Sequence, residues 1–584
     1  MHLRVARGPV TAYAPRLMAD LVIGGRRHSP QRALRAAGVL VVLVVTAFVV
    51  AWFIYRRSVA YDEPGGEPAR AAIELDQPTP GAPPRLRWGD ASLAMLGDLA
   101  VVRAGGEPFA IGAAHGRLVG ERLAATWQAA RPTIEGVAGG GHWFAWTRRM
   151  RLDWRLRFVD DGIPEHHRRA LAGMMRGARQ SGASIGYREL VRATAALDIG
   201  VPAPWTAEAQ SRRLARSLTW VAPQATPGRL WVGRSLAVPG LGDGGDAAAR
   251  PVISLVRPTG RIAWAGVGWA GLTGVVTGIN ARGLVVTVHP TATRDVRATA
   301  TARPMTLLAR DVLEQAEDLD AAIKLIEATP TLGAAAFVVV DGQRGRWAVV
   351  ERSPTAVGVR RDPAEAAVGD VLTSQAFADD PENDRSSRIS TTPARVARAN
   401  RLLRTPPPDA AAAAAILRDR RSAADEGLPL GHRGALDDAA AVHVVLFDPA
   451  SLAMWVADGP GAGARMRAFD LRHELSGDGD RPTPPADVPA DPTSDAQQVG
   501  AIRLARAELR AARAAWRGDR ARALEHLARA LSWAPGLPEA LVQAGAFAEA
   551  RGDRPAMEAA WRRWLELSPD DPGLEASVRA ALAP

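Results

Sequence analysis

From Ala36 to Tyr55 the chain reads AAGVLVVLVVTAFVVAWFIY, 20 consecutive residues without a charge. A helix of that length rises about 30 Å, the thickness of a hydrocarbon core. Arg32 and Arg35 bound the run on one side and Arg56 and Arg57 on the other, and Trp52 and Tyr55 stand where interfacial aromatics belong. The pattern predicts a transmembrane helix over 36–55. Two alternatives are a buried core helix, which would show a polar face, and a signal peptide cut at Ser58-Val59-Ala60, whose apolar core would be shorter. Residues 56–86 are rich in Pro, Gly and acids and read as a linker. Helical spacing of apolar residues follows at His115–Ala130, Glu165–Ser181 and Tyr187–Leu197. From Leu218 the pattern shortens to strands: LTWVA, RLWVGRSLAV, VISLVR, RIAWAGVGW, GVVTGIN and GLVVTVH. A helical stretch at 304–328 precedes more strands, AAFVVVD, RWAVVER, AVHVVLFD and LAMWVAD. This order predicts an α+β domain over 87–475 with largely antiparallel sheets.

After a Pro/Asp/Gly linker over 476–497, residues 498–584 return to helical spacing. Arg517-Gly518-Asp519-Arg520 recurs as Arg551-Gly552-Asp553-Arg554, and Pro535 recurs as Pro569, both at an offset of 34 residues. This resembles the tetratricopeptide repeat, in which Gly ends one helix and Pro stops the next. An ordinary helical bundle is the alternative. Repeats of this kind present a surface to a protein or peptide.

Charge fixes the expected orientation. Residues 1–35 carry seven arginines against Asp20, a net +6 of the chain's +11. The positive-inside rule then leaves 1–35 in the cytoplasm and places the bulk of the chain, periplasmic or extracellular, on the other side. A protein partner for the repeats would therefore be an exported one. Lys324 is the only lysine and no basic-aromatic stripe occurs, so no nucleic-acid partner is expected. The chain has no cysteine, which removes disulfides, thiolate metal sites and a thiol nucleophile.

Several short motifs lack the context their chemistry needs. Gly266/Gly268/Gly271 and Gly240/Gly242/Gly245 match GxGxxG, but neither set opens a helix in a βαβ unit. Gly233-Arg234-Ser235-Leu236-Ala237 is close to GxSxG, yet VPGLGDGG follows where a nucleophile elbow needs a helix. His166-His167 beside Arg168-Arg169 reads as part of a solvated helix. No metal or other cofactor is expected.

An ordered set of segments carries more. It begins with Ile111-Gly112, His115-Gly116 and Gly120-Glu121, then Ser217-Leu218-Thr219-Trp220-Val221-Ala222, Ala225-Thr226 and Gly233-Arg234-Ser235-Leu236. It continues with Gly278-Ile279-Asn280-Ala281-Arg282-Gly283-Leu284 and Pro304 to Lys324. Asp341, Gly345, Glu351, Thr373-Ser374-Gln375-Ala376-Phe377, Ser387, Arg388 and His443 to Asp458 complete it. Over about residues 108–462 this resembles the acyl-coenzyme A:6-aminopenicillanic acid acyltransferase family of N-terminal-nucleophile hydrolases, with bile-salt and penicillin-V hydrolases as more distant relatives.

The resemblance implies a four-layer αββα sandwich that cuts itself before its nucleophile. The freed residue attacks an amide or thioester with its own α-amine as base, which suits neutral pH. Ser217 aligns with the nucleophile, so the resemblance implies cutting at Arg216–Ser217. It also implies that Asn280 donates to the oxyanion, and that Arg234 and Arg388 stabilise negative charge or orient the amine. Four departures stand out. Ser217 replaces the family's Cys, Ser235 an Asn, Ser374 another Asn, and Ala237 the Asp that holds the α-amine. Two functions follow as expectations: a membrane-anchored acyltransferase or amidohydrolase acting on an acylated small molecule or peptide, or an inactive scaffold or acyl-ligand binder that recruits a partner through its repeats.

Overall fold

The computed structural model describes residues 30–76, 83–134, 142–199, 216–238, 241, 250–295, 302–459, 461–476, 485–516, 518–567 and 569–583. The basic segment before residue 30, the Gly240/Gly242/Gly245 run, Arg517 and the start of the second linker lie outside them. Two compact units are present, Met1–Ala60 and Tyr61–Pro584.

The first unit is built on α1 (Pro30–Ser58). Its part from Ala37 to Ser58 is long and apolar enough to cross a membrane. Trp52 and Tyr55 stack near its end, with ring centroids 5.6 Å apart.

The second unit holds two sheets. The larger runs, in spatial order, β1 (Glu74–Asp76), β2 (Arg85–Trp88), β3 (Ala91–Leu96), β4 (Leu99–Gly106), β7 (Val252–Pro258), β8 (Trp264–Gly268), β9 (Thr277–Asn280), β10 (Leu284–Thr291), β11 (Ala334–Asp341), β12 (Arg346–Arg352) and β13 (Val357–Arg361). Only β4 and β7 pair in parallel among these described strands. The smaller runs β14 (Ala367–Val368), β5 (Arg216–Pro223), β6 (Leu230–Ala237), β15 (Ala441–Asp448), β16 (Ala453–Ala457) and β17 (Met466–Asp470).

Helices flank both sheets. On the larger sheet lie α2 (Pro108–Ile134), α3 (His142–Arg155), α4 (Glu165–Gln180), α5 (Tyr187–Ile199), α6 (Met305–Gln315) and α7 (Leu319–Ala328). After β14 come α8 (Pro381–Ile389), α9 (Thr392–Leu402) and α10 (Ala410–Leu417), and α11 (Leu471–Ser476) follows β17. One core joins the helices to the larger sheet through residues such as Ile111, Leu171, Leu308, Val286 and Phe337. A second joins the two sheets through Val101, Ile253, Val232, Val445 and Phe447. A third joins the far face of the smaller sheet to α9 and α10 through Leu218, Trp220, Leu446, Ala399 and Leu417.

The glycine spacing of α2 has a steric cause. Gly112, Gly116 and Gly120 recur every four residues and so share one helix face. A Cβ at Gly112 or Gly116 would strike the carbonyl oxygens of Ala170 or Met174 on α4. Gly173 and Gly177 return the contact against Phe109 and Ala113. The two helices therefore meet backbone to backbone.

The linker expected over 56–86 is more ordered than its composition suggests. Tyr61 donates to the Leu156 carbonyl at 2.8 Å, the Asp62 amide donates to Asp160 at 3.1 Å, and β1 joins the sheet edge. The second linker also packs in part, since Val488 bridges Met466 and Trp455 donates to the Ala486 carbonyl. The described parts of these segments are polar but bond to the strands and to the turn after α3, which composition does not report.

Beyond them lie α12 (Ala496–Ala515), α13 (Arg520–Trp533), α14 (Pro538–Glu549), α15 (Arg554–Glu566) and α16 (Pro572–Ala581). The 34-residue recurrence places Asp519 and Asp553 as N-caps of α13 and α15, each accepting from a backbone amide three residues on. Gly552, at φ +74°, ends the turn before Asp553 in the left-handed region.

Candidate active site

Side chains alternate across a strand, so residues two apart share a face. On β5, Leu218, Trp220 and Ala222 face α9 and α10, while Val221 faces the other sheet. Ser217 and Thr219 belong to the Val221 row. On β6, Arg234 continues the row of Val232; on β10, Thr287 and His289 continue that of Val285; on β15, His443 precedes Val445 and Phe447. Four apolar rows thus turn polar at one end of the inter-sheet layer.

These groups meet. Ser217 Oγ lies 2.9 Å from His289 Nδ1, and His289 Nε2 lies 2.8 Å from Thr219 Oγ1. Arg234 Nη1 is 2.9 Å from His289 Nε2 and its Nη2 donates to the Val288 carbonyl at 2.6 Å. A guanidinium only donates, so its shorter contact assigns Nε2 as the acceptor. Nδ1 then carries the proton and donates to Ser217 Oγ. The serine hydroxyl is left to donate to Asp370 Oδ1, with which it is in direct contact. The other carboxylate oxygen, Asp370 Oδ2, accepts from the Ser217 backbone amide at 2.7 Å.

Asp370 therefore grips both the hydroxyl and the backbone nitrogen of Ser217. Ala237, where the family resemblance places an acid, lies opposite Arg216 in the β5–β6 ladder and offers none. The carboxylate comes from the segment after β14 instead.

Burial sets the electrostatics. Ser217 is 1% exposed, and Arg234 and His289 are fully buried. Burial pushes the Asp370 carboxyl up to about 6, against the pull of its Ser217 bonds, Arg234 and Arg395. Burial also pulls Arg234 down to about 9 and holds His289 well below 6.5, where Arg234 and Arg395 add to the effect. His443, bonded to Thr277 at 2.9 Å, is lowered to about 3 by burial and Arg234. Both imidazoles are neutral.

Of the four residues singled out from the sequence, the structure brings Ser217 and Arg234 together through His289. Asn280 and Arg388 stand elsewhere. The Asn280 amide donates to the Leu313 and Ala316 carbonyls at 3.1 and 2.9 Å, and its oxygen accepts from the Arg282 and Leu284 amides. All four hydrogen-bonding positions are used, and none remains for an oxyanion. Asn280 ends β9, beside the start of β10, roughly 16 Å of strand from His289. Arg388 projects from α8 with 66% of its side chain exposed, paired to Asp384 one turn earlier.

Besides Arg234, the guanidinium that acts on the site is that of Arg395 of α9. It is 1% exposed, its Nε donates to the Ala435 carbonyl at 3.2 Å, and its field acts on Asp370, Arg234 and His289. Its two amino nitrogens have no hydrogen-bond partner among the described residues. Asp370, His289 and Arg395 were not legible as site residues in the sequence. The available signals were an acid enclosed by Val368 and Val371, a histidine continuing an apolar strand row, and an arginine on the buried face of a helix.

His166 and His167 differ from the expected solvated pair. His167 is fully buried, and the two rings approach Asp311 Oδ1 at 3.2 and 2.9 Å. Arg303 takes the other oxygen at 2.6 Å and Gln315 donates to the first at 3.2 Å, so the carboxylate is already supplied with donors. The near-GxSxG run occupies the interior of β6, and Gly266 and Gly268 lie within β8.

Residues 253–460 match the family model of acyl-coenzyme A:6-aminopenicillanic acid acyl-transferase. The resemblance read from the sequence is shown over that stretch, which begins after Ser217 and Arg234. No curated protein matches. Among solved structures, the Caenorhabditis elegans ortholog of N-acylethanolamine-hydrolyzing acid amidase is 16% identical, with 40% of this chain and 93% of that chain covered at a TM-score of 0.29. A variant of the conjugated bile acid hydrolase of Clostridium perfringens is 11% identical, covering 44% of this chain and 94% of that one at 0.30. A second variant of that hydrolase is also 11% identical, covering 48% and 100% at 0.30.

Proposed function

We propose, starting from the match of residues 253–460 to this acyltransferase family, that the chain is a membrane-tethered acyltransferase or amidohydrolase whose nucleophile, Ser217, is freed by self-cutting. The succession of helices, two sheets and helices is read as the αββα sandwich of such enzymes, and α1 as its anchor with the catalytic unit outside the cytoplasm. The observation that carries the reading is the double hold of Asp370 on the Ser217 amide and hydroxyl.

In the intact chain Asp370 draws the proton from Ser217 Oγ as the oxygen attacks the Arg216 carbonyl carbon. The C–N bond breaks, the nitrogen takes up a proton, and an ester joins Arg216 to Ser217 Oγ. Water hydrolyses that ester, leaving a carboxylate on Arg216 and a free α-amine on Ser217. The amine remains beside Asp370 and serves as base when Oγ attacks the carbonyl carbon of an amide or thioester; the C–N or C–S bond breaks, and the departing amine or thiol takes up the proton that the α-amine drew from Oγ. The acyl-serine ester then passes its acyl group to water or an amine acceptor. Arg395, whose two amino nitrogens have no partner among the described residues, supplies positive charge beside these steps in the role expected of Arg388.

Incubation of the purified full chain, followed by denaturing electrophoresis, tests this. The wild type is expected to convert to two pieces, and Ser217→Ala to stay whole and lack hydrolytic activity. A Ser217→Ala chain that still divides at this bond would contradict the assignment.

A further inference from the structure

The helical repeats do not stand apart from the site. Residues 428–441, the approach to β15, are pressed between the two. On the repeat side, Gly431 (φ +87°) is seated against Ile502 and Leu537, each 3.2 Å from where a Cβ would stand. Leu430 and Ala439 share a core with Val499, Leu509, Leu527 and Phe547. Arg506 of α12 donates to the Gly431 carbonyl at 3.1 Å and to Glu539 of α14 at 3.0 Å. Arg503 donates to the Ala439 and Ala441 carbonyls at 3.4 and 3.3 Å. Arg433 inserts between Asp570 and Asp571 at 3.0 and 3.1 Å.

On its other side the same segment holds the residue preceding the nucleophile. Asp438, 1% exposed, takes Arg216 Nε at 2.8 Å, and Arg395 leans on the Ala435 carbonyl. Arg506 and Arg395 face Asp438 along with Arg216, and Glu539 faces Arg506, Arg433, Asp570 and Arg216. A line of alternating buried charge thus runs from Arg216 through Asp438, Arg506, Glu539 and Arg433 to Asp570. The smaller sheet does not need the repeats to form its β5–β6–β15 ladder, whose bonds are internal. What the repeats add is the other wall for the segment that carries Asp438.

We infer that the C-terminal repeats act as an intramolecular brace on the cutting site, with Glu539 and Asp438 as positioning residues that hold Arg216 in place before Ser217. This rests on the proposed self-cutting for its consequence, though the brace itself is physical and can be measured without it. Buried ion pairs suit such a task because losing one partner leaves the other uncompensated, so the line holds or fails as a unit.

Hydrogen exchange and cutting, both measured on the full chain, test the brace together. Glu539→Gln removes one charge of the line at nearly constant shape; Arg503→Ala is a milder second variant should Glu539→Gln fail to fold. Glu558→Gln, in an exposed cluster with Arg554 and Arg562, is the control. At a temperature where all chains are folded, Glu539→Gln should speed exchange tenfold or more both at 429–441 and at 216–221. It should slow conversion to pieces at least tenfold, and Glu539→Asp should restore part of each. Glu558→Gln should match wild type. Loosening of 429–441 with unchanged exchange at 216–221 would overturn the brace, as would no loosening at all. If wild type never cuts, the proposed function falls while the exchange comparison still decides the brace.

Discussion

Arg433 and Arg395 are both arginines buried in the same compact unit, yet their surroundings are opposite. Arg433 meets two carboxylates, Asp570 and Asp571, and is held more firmly in its charged form than a free arginine. Asp570 is correspondingly held well below the usual carboxylate range by Arg433. Arg395 has no carboxylate within pairing distance among the described residues, and burial lowers it. Its neighbour Asp370 is pushed up to about 6. Groups of the first cluster are fixed as ions and hold the fold. Those of the second are pushed toward neutrality, the condition under which a proton can pass between groups near physiological pH.

The sharpest way to break this contrast is Asp370→Asn. Self-cutting should fall on the order of a thousandfold, as for loss of a general base. Stability should move the other way. A carboxyl raised from 3.8 to about 6 by folding binds more protons in the native state than in the unfolded one, so its contribution weakens as pH rises through that window. At pH 7.5 the variant should gain up to about 3 kcal/mol in urea unfolding. A less stable variant would place Asp370 with the structural ions.

Asp570→Asn should do the reverse, losing about 1.5–3 kcal/mol, because Arg433 keeps Asp571 but loses a charged hydrogen-bond partner. The Asp570 contribution is present above the ordinary carboxylate pKa and is lost as pH falls below it, since folding depresses this group. A loss under about 1 kcal/mol would mean that the cluster does not hold the C-terminal helices.

The pH profile of cutting sharpens the first cluster further. With Asp370 as acceptor and its pKa about 6, the rate at pH 5 should be about a tenth of that at pH 7, and a flat profile would exclude it. The smallest effect is expected from Arg388→Ala. Its exposed pair with Asp384 is worth about 0.5 kcal/mol or less, and cutting should be unchanged. A tenfold loss would return Arg388 to the site.

Much of the layout was legible because it rests on local periodicity. The strand runs from Leu218 to Asp458, the helix at 304–328 and the Gly-x-x-x-Gly face of α2 follow from side-chain alternation and from backbone approach at glycine. The 34-residue recurrence likewise marks the Asp caps of α13 and α15. Ser217 and Arg234, both named from the ordered set of segments, come together at His289 because they lie on the paired strands β5 and β6. Asn280 misled because its type fits an oxyanion donor, while its place in the β9–β10 turn spends all its bonds on backbone groups. Arg388 misled because a second arginine, Arg395, lies seven residues on at the buried face of the next helix, while Arg388 itself stands exposed on α8. Asp370, 133 residues from Ala237 in sequence, is the carboxylate that meets Ser217, a relation that no local pattern carries.

The central claim is a chemical event at one bond, and the N-terminal sequence of the larger piece tests it most directly. After incubation of the full chain at pH 7.5, that piece should begin Ser217-Leu218-Thr219-Trp220 and contain 368 residues. A chain that remains whole indefinitely, or a piece beginning at any other residue, would contradict it.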